Sequence, residues 1–197
     1  MRMSMQPMRY EKQVIGYHGC DLSVRDRILL GKERLRQSTN DYDWLGRGIY
    51  FWEHGPERAE DWAVQQRRRG SIVEPSVLGA HIHLGNCFDL LDVRHTRILK
   101  EAFAEFQRAM SSAGQPLPSN EPLSSSDSDR LLRRLDCAVI NWTLDQMEKG
   151  GMGSWDTVRG VFQEGGPVFP ESLILEKSHI QIAVRNTACI LGYFRPE

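Results

Sequence analysis

His18 and Gly19 stand together at the end of a strand-like run, and Tyr50 closes Gly46-Arg47-Gly48-Ile49 in a second one. These residue types make a particular chemical offer. An imidazole can donate or accept a hydrogen bond, glycine leaves the backbone open to a closely approaching ligand, and tyrosine gives a face for a flat ring. Singly, each is ordinary: a strand-end histidine is more often structural, and a tyrosine inside Ile-Tyr-Phe-Trp is more often core. Their order within residues 14–63 gives them joint meaning. Near the other end, His179 and Gln181 lie two apart on a strand pattern and share a face. An imidazole there can take a proton near neutral pH. His81 and His83 also share a face, with Cys87 nearby, but no regularly spaced fourth ligand completes a zinc set, so no metal is expected.

The elements that must position these groups follow from pattern. Residues 13–17 read as a strand that delivers His18 to its end. Asp21 or Ser23 caps a short helix through Leu30, closed by Gly31, with Val24, Ile28 and Leu29 to one side. Residues 32–43 form a polar loop, and the following Trp44 is expected in the core rather than as a lid. Gly55-Pro56 opens a helix to Arg69, ended by Gly70, on which Ala59, Trp62, Ala63 and Gln66 share a face. Arg67-Arg68-Arg69 reads as a basic helix C-terminus suited to the dipole, in preference to a phosphate contact.

Further on, residues 76–84 and 86–91 read as strands. Residues 95–110 form an amphipathic helix with Ile98, Leu99, Ala102, Phe103 and Phe106 as its stripe. Residues 111–129 are a Ser- and Pro-rich surface loop, and helical periodicity returns over 127–149. The two helices make an insertion at about 95–150 that could pack on the core, gate a cleft or bind a partner. Residues 150–166 read as loop with an exposed Trp155 and a short strand at 156–160. The loop 171–178 leads into a strand over 179–185, a hairpin-like turn at Asn186-Thr187 and a last strand over 189–194.

The ordered set Tyr17-His18-Gly19, a helix of about eight residues, Gly46-x-Gly48-Ile49-Tyr50-Phe51 and Ala59 on the next helix resembles the NAD-binding core of ADP-ribosyltransferases. The likeness is to the branch with a His-Tyr-Glu triad, which includes poly(ADP-ribose) polymerases and diphtheria-type toxins. It covers roughly the first third of the chain, with a weaker match in the last strands. It implies a single α+β domain over 1–197, with two small, mostly antiparallel sheets around an NAD cleft, to which the helical insertion is added.

The resemblance also implies roles. His18 would hydrogen-bond a ribose hydroxyl, Gly19 would hold the carboxamide through its backbone, and Tyr50 would stack on nicotinamide with Trp62 as the second ring. Arg58 stands where relatives often carry a serine before Ala59. Gln181 falls where the triad glutamate is expected; an amide can hydrogen-bond a hydroxyl but carries no charge and is no base. Glu176, ahead of Glu171, is therefore the expected source of negative charge. The implied activity is mono-ADP-ribosyl transfer, with NAD as substrate, to a macromolecular acceptor, protein or nucleic acid. The setting would be a bacterial toxin or defence system, with an antitoxin or regulatory protein as a partner. Two rivals stand beside it: a non-catalytic module that binds NAD or ADP-ribose, and an NAD glycohydrolase.

Composition sets outer bounds. The chain has 197 residues, 40% hydrophobic and 26% charged, which suits one globular domain. Its 25 basic and 26 acidic residues leave a formal net charge of −1, so no global attraction to nucleic acid or anionic membrane follows. No apolar run is long enough to span a bilayer. The N-terminal stretch, with Met1, Met3, Met5 and Met8 among polar residues, lacks the apolar core of a signal peptide and reads as a frayed lead-in. Four cysteines without a CxxC pair are expected to be free, mostly buried thiols in a cytoplasmic protein.

Overall fold

A computed structural model describes residues 10–123 and 129–197. The expected N-terminal lead-in, residues 124–128 of the expected surface loop, and the expected helix start at Asp127 lie outside them. Within those residues the chain is α+β. In order it forms β1 (Tyr10–Asp21), α1 (Leu22–Leu29), β2 (Ile49–Glu53), α2 (Pro56–Arg68), β3 (Pro75–Gly85), β4 (Cys87–Asp89) and α3 (Val93–Ser112). There follow β5 (Asn120–Glu121), β6 (Leu132–Arg133), α4 (Arg134–Lys149), β7 (Thr157–Phe162), β8 (His179–Val184), a 3-10 turn at Thr187–Cys189 and β9 (Ile190–Phe194).

Local chemistry explains the caps. The Asp21 side chain accepts from the Ser23 N–H and so caps α1, and Pro56 sits at the first turn of α2 behind Gly55. The strand that carries His18 runs on to Asp21 instead of ending there, because β1 pairs with β3 along its length, from Gln13↔His83 to Asp21↔Pro75.

Two mostly antiparallel sheets are present among the described residues, but they are unequal and only one is small. Seven strands form one mixed sheet in the order β4-β7-β8-β2-β1-β3-β9, and β5 with β6 makes a separate two-stranded ribbon. Only β4 and β7 run parallel. The seven strands nevertheless divide into halves. The halves β4-β7-β8-β2 and β1-β3-β9 join through two ladder positions alone, Gly16↔Glu53 and Tyr17↔Trp52. Past Tyr17, β1 leaves β2 and keeps only its β3 partner.

The halves also fold toward each other. Ile182 and Val184 of β8 share one buried cluster with Ala80 and Ile82 of β3, although β2 and β1 intervene in the sheet. Strands about 4.8 Å apart put β8 and β3 near 14 Å in a flat sheet, too far for such a cluster, so the sheet must curl. Helices α1 and α2 pack on the β1-β3 half. On the other half, Ile140, Leu144 and Met147 of α4 share a second cluster with Val158 and Ala183. The helical insertion thus packs on the core, with Phe106 of α3 edge-on to Trp142 of α4.

Three further expectations are corrected. β8 and β9 form no hairpin: both edges of β8 are taken by β2 and β7, so the turn sends β9 across to pair with β3. Trp155 is buried rather than exposed, packed edge-on to Phe88 at 5.1 Å. The second insertion helix begins at Arg134, because Leu132 and Arg133 are spent on the ribbon with β5. The four cysteines are free and buried, and burial pushes their thiols up to about 11, or about 12 for Cys87. Thiols held so far from ionisation are poor nucleophiles. No helix among the described residues is long and apolar enough to cross a membrane.

One face of the larger half carries a buried ion network, with Lys12 and His54 at its edge near Glu53. Arg159 of β7 reaches Glu53 of β2 through Nε at 2.6 Å and Nη2 at 3.1 Å, and Asp89 of β4 through Nη1 at 3.0 Å. All three are buried. Burial alone would lower the guanidinium pKa, but the two carboxylates outweigh it and raise it. The network ties three strands together on the face that Tyr50 and Trp52 turn away from.

Candidate functional site

Where β1 parts from β2, the His18 ring fills the gap. Its Nδ1 lies 2.8 Å from the Tyr50 carbonyl oxygen. A carbonyl only accepts, so Nδ1 carries the hydrogen and donates, and in the neutral ring Nε2 keeps its lone pair. Burial lowers the His18 pKa and so favours the neutral form. The fold thereby fixes one tautomer of His18, with an acceptor nitrogen at a cleft.

That cleft has a volume of about 410 Å³, within the usual range for small-molecule sites. His18, Tyr50, Arg58, Trp62 and Gln181 line it, as do Trp44, Trp52 and His179. Five of the seven candidate residues read from sequence are thus brought together. Gly19 is not among the lining residues. A Cβ there would lie 2.3 Å from the Ala59 carbonyl and 3.0 Å from the Trp62 ring, so its bareness lets α2 approach β1 and brings Trp62 to the cleft. Glu176 is exposed and outside the lining, on the segment that leads into β8.

Each side chain is held by identifiable contacts. Tyr50 presents its ring, while its hydroxyl donates to the Gly46 carbonyl at 2.7 Å and accepts from the Leu45 N–H at 2.9 Å. Burial raises its pKa well above the ordinary value. Strand alternation puts Trp52 on the same face as Tyr50, and its ring lies 6.2 Å from those of both Trp62 and His179. In β8, Gln181 stands opposite Trp52 on one side and Gly160 of β7 on the other.

The Trp44 Nε1–H donates to Gln181 Oε1 at 2.6 Å. An indole N–H is a donor only, so the amide oxygen must face Trp44, and the amide nitrogen is what Gln181 can offer to the cleft. Gly160 makes this possible, since a Cβ there would sit 2.7 Å from the Trp44 ring. Trp44 therefore packs against the core, as expected, and also walls the cleft.

Two carboxylates that sequence reasoning missed line the cleft, Asp43 and Glu164. Glu164 follows β7 and pairs with Arg58 Nη2 at 2.7 Å. Asp43 lies in the loop before Trp44, where burial raises its pKa against hydrogen bonds from Ser38 and Asn40. Leu131 and Leu132, expected on the insertion helix, line it as well, and Arg69 at the end of α2 reaches its rim.

Buried polar atoms in native proteins nearly always have a partner. Seven side-chain atoms among the described residues do not, and four belong to this cleft: Asp43 Oδ2, Trp52 Nε1, Arg58 Nε and His179 Nε2. An acceptor, two donors and an imidazole nitrogen without partners, among six tyrosine, tryptophan and phenylalanine rings, form a lining suited to a flat, polar ligand. Among the described residues no three His, Cys, Asp or Glu side chains converge as a metal set. The chain matches no protein-family model, no curated protein and no solved structure.

Proposed function

We propose that this cleft binds NAD and that the protein transfers ADP-ribose from NAD to an acceptor on an ADP-ribosyltransferase-like fold. The observation that carries the reading is the fixed tautomer of His18 beside an aromatic cleft in which four buried polar atoms have no partner among the described residues. His18 Nε2 accepts a ribose hydroxyl, and Gln181 donates to one through its amide nitrogen. Nicotinamide lies against Tyr50, with Trp62 as the second ring. Arg69 and the glutamines at the end of α2 meet the pyrophosphate at the rim.

The chemistry asks little of the protein beyond this. Cleaving the nicotinamide–ribose bond develops positive charge on the ribose, as in glycoside hydrolysis, and the pyridinium leaves without an acid. What is needed is positioning and a negative field. Glu164 is the better placed carboxylate: it lies at the cleft as an ion pair with Arg58, whereas burial favours the neutral form of Asp43 and Glu176 lies outside. Arg58 fixes the Glu164 carboxylate while cancelling part of its field. The acceptor is a protein or nucleic acid in this reading, and a toxin or defence setting rests on the sequence resemblance alone.

A second reading is favoured by Gln181, which brings no charge to the ribose: a module that binds NAD or ADP-ribose without turning it over. The test incubates pure protein with NAD and follows free nicotinamide, with and without cell lysate. Release that needs lysate supports transfer to a lysate component. Release without lysate means hydrolysis or self-modification, and binding without release means the module.

A further inference from the structure

His179 is the cleft residue whose state the reading above leaves unused. Its Nδ1 lies 2.7 Å from the Lys177 carbonyl oxygen, so Nδ1 carries the hydrogen and Nε2 keeps its lone pair. That Nε2 is buried and has no partner among the described residues. The ring cannot easily swing away: it stacks on Phe162 at 5.6 Å and 24°, and leans on Trp52 at 6.2 Å. Two residues along β8, on the same face, is Gln181. The protein thus holds a second imidazole in one tautomer, with its basic nitrogen unpartnered among the described residues, beside the proposed ribose position.

We infer, resting on the NAD reading, that His179 Nε2 takes the proton of the acceptor during transfer, and that the acceptor is a neutral hydroxyl. In this step the hydroxyl oxygen bonds to the ribose C1′ as the C1′–N bond of nicotinamide breaks. That bond's electron pair returns to the pyridine ring, giving neutral nicotinamide. The hydroxyl proton moves to Nε2, and the resulting imidazolium then loses it to water. No other reactant is required.

The surroundings favour a neutral acceptor. The charged groups facing His179 are Arg58 from α2 and Glu164 from the segment after β7, while β2 and β7 contribute the uncharged Trp52 and Phe162. Arg58, which also holds Glu164 as an ion pair, leaves that carboxylate less free to bind a cationic acceptor such as a guanidinium or ammonium. A carboxylate acceptor would need no base at all. Burial is the main cause, and Arg58 a lesser one, of a His179 pKa below the ordinary 6.5, so the base form prevails at neutral pH.

The test compares wild type, His179→Gln and His179→Ala. Calorimetry gives NAD affinity, and nicotinamide release at saturating NAD is followed from pH 5 to 8 in water and with added methanol as the hydroxyl probe. NAD affinity should stay within about threefold, because the base acts on the acceptor. Release should fall about 100-fold, the usual scale of general base catalysis. The wild-type loss of rate on acidification should vanish in His179→Gln, and free imidazole should restore part of the rate to His179→Ala. If NAD binds and His179→Gln keeps both the rate and its acid limb, the inference is overturned and the NAD reading stands. If NAD binds but wild type releases no nicotinamide in water or methanol, the inference falls and the binding module remains. If wild type does not bind NAD, both fall together.

Discussion

The two faces of the sheet around β2 carry buried polar groups in opposite conditions. On one face Glu53 joins Arg159 and Asp89 in a network whose charges meet partners at 2.6 to 3.1 Å. On the other, Trp52 Nε1, Arg58 Nε, His179 Nε2 and Asp43 Oδ2 have none among the described residues. Strand β2 contributes to both sets, and the difference lies in what each face is for. A satisfied network holds strands in place; an unsatisfied one is completed by something that arrives later. The first face should therefore govern stability and the second should govern ligand binding and turnover.

The sharpest way to break this division is to cut the network. Arg159→Leu takes the guanidinium from two buried carboxylates and leaves Glu53 only the more distant Lys12 and His54, and removing one partner of a buried ion pair costs about 3–5 kcal/mol. A chain of this size should melt roughly 6–20 °C lower as a result. Thermal unfolding measures it; a loss of only a degree or two would mean that the network does not hold the strands.

Next in size is a pair of carboxylates on the ligand face. Glu164→Gln should slow nicotinamide release about 10- to 100-fold, near the lower end for removing one preorganised electrostatic group. Glu176→Gln should leave it within about twofold, being exposed and outside the cleft. Equal effects from the two would remove the distinction between cleft and loop.

Tyr50 belongs to both regimes, so it separates them within one residue. Tyr50→Phe keeps the ring but loses the bonds to the Gly46 carbonyl and the Leu45 N–H. The expected cost is about 1–3 kcal/mol of stability in urea unfolding, with NAD affinity nearly unchanged. Tyr50→Ala is no clean probe of stacking, because it disturbs the loop as well. A large loss of NAD affinity in Tyr50→Phe would place the hydroxyl, not the ring, at the ligand.

The smallest expected effect is on pH. His18 and His179 both have folded pKa values below 6.5, so the unfolded chain binds more protons as pH falls through that value. Stability is then fully present above about pH 6.5 and is lost on acidification toward the folded values. Asp43 has the opposite sign: its raised pKa contributes stability that is lost as pH rises through it, from 3.8 upward. Melting temperature should drop between pH 7.5 and 5.5 in wild type and less so in the double variant His18→Gln, His179→Gln. An unchanged slope in that variant would mean that other groups set the pH dependence.

What could be read in the sequence was whatever is local. The Asp21 cap, the proline start of α2 and the period-two face of His179 and Gln181 each depend on neighbours a few residues away, and each is found as read. Trp52 was also legible in principle, since alternation puts it on the face of Tyr50. What could not be read depends on distant chain segments. Trp44 reaches Gln181 across 137 residues and Arg58 reaches Glu164 across 106. No periodicity announces such pairs. The burial of Trp155 and the path of β9 to β3 were illegible for the same reason: they are decided by which strand edges other segments have already taken.

The most direct test of the central claim, that the unsatisfied face is an NAD site, is a calorimetric titration of NAD into wild type and His18→Ala. The account predicts saturable one-to-one binding to wild type and an affinity about 10- to 100-fold weaker in the variant, the loss of one hydrogen bond to the ligand at about 1–3 kcal/mol. Absence of binding to folded wild type, or equal affinity in both proteins, would contradict it.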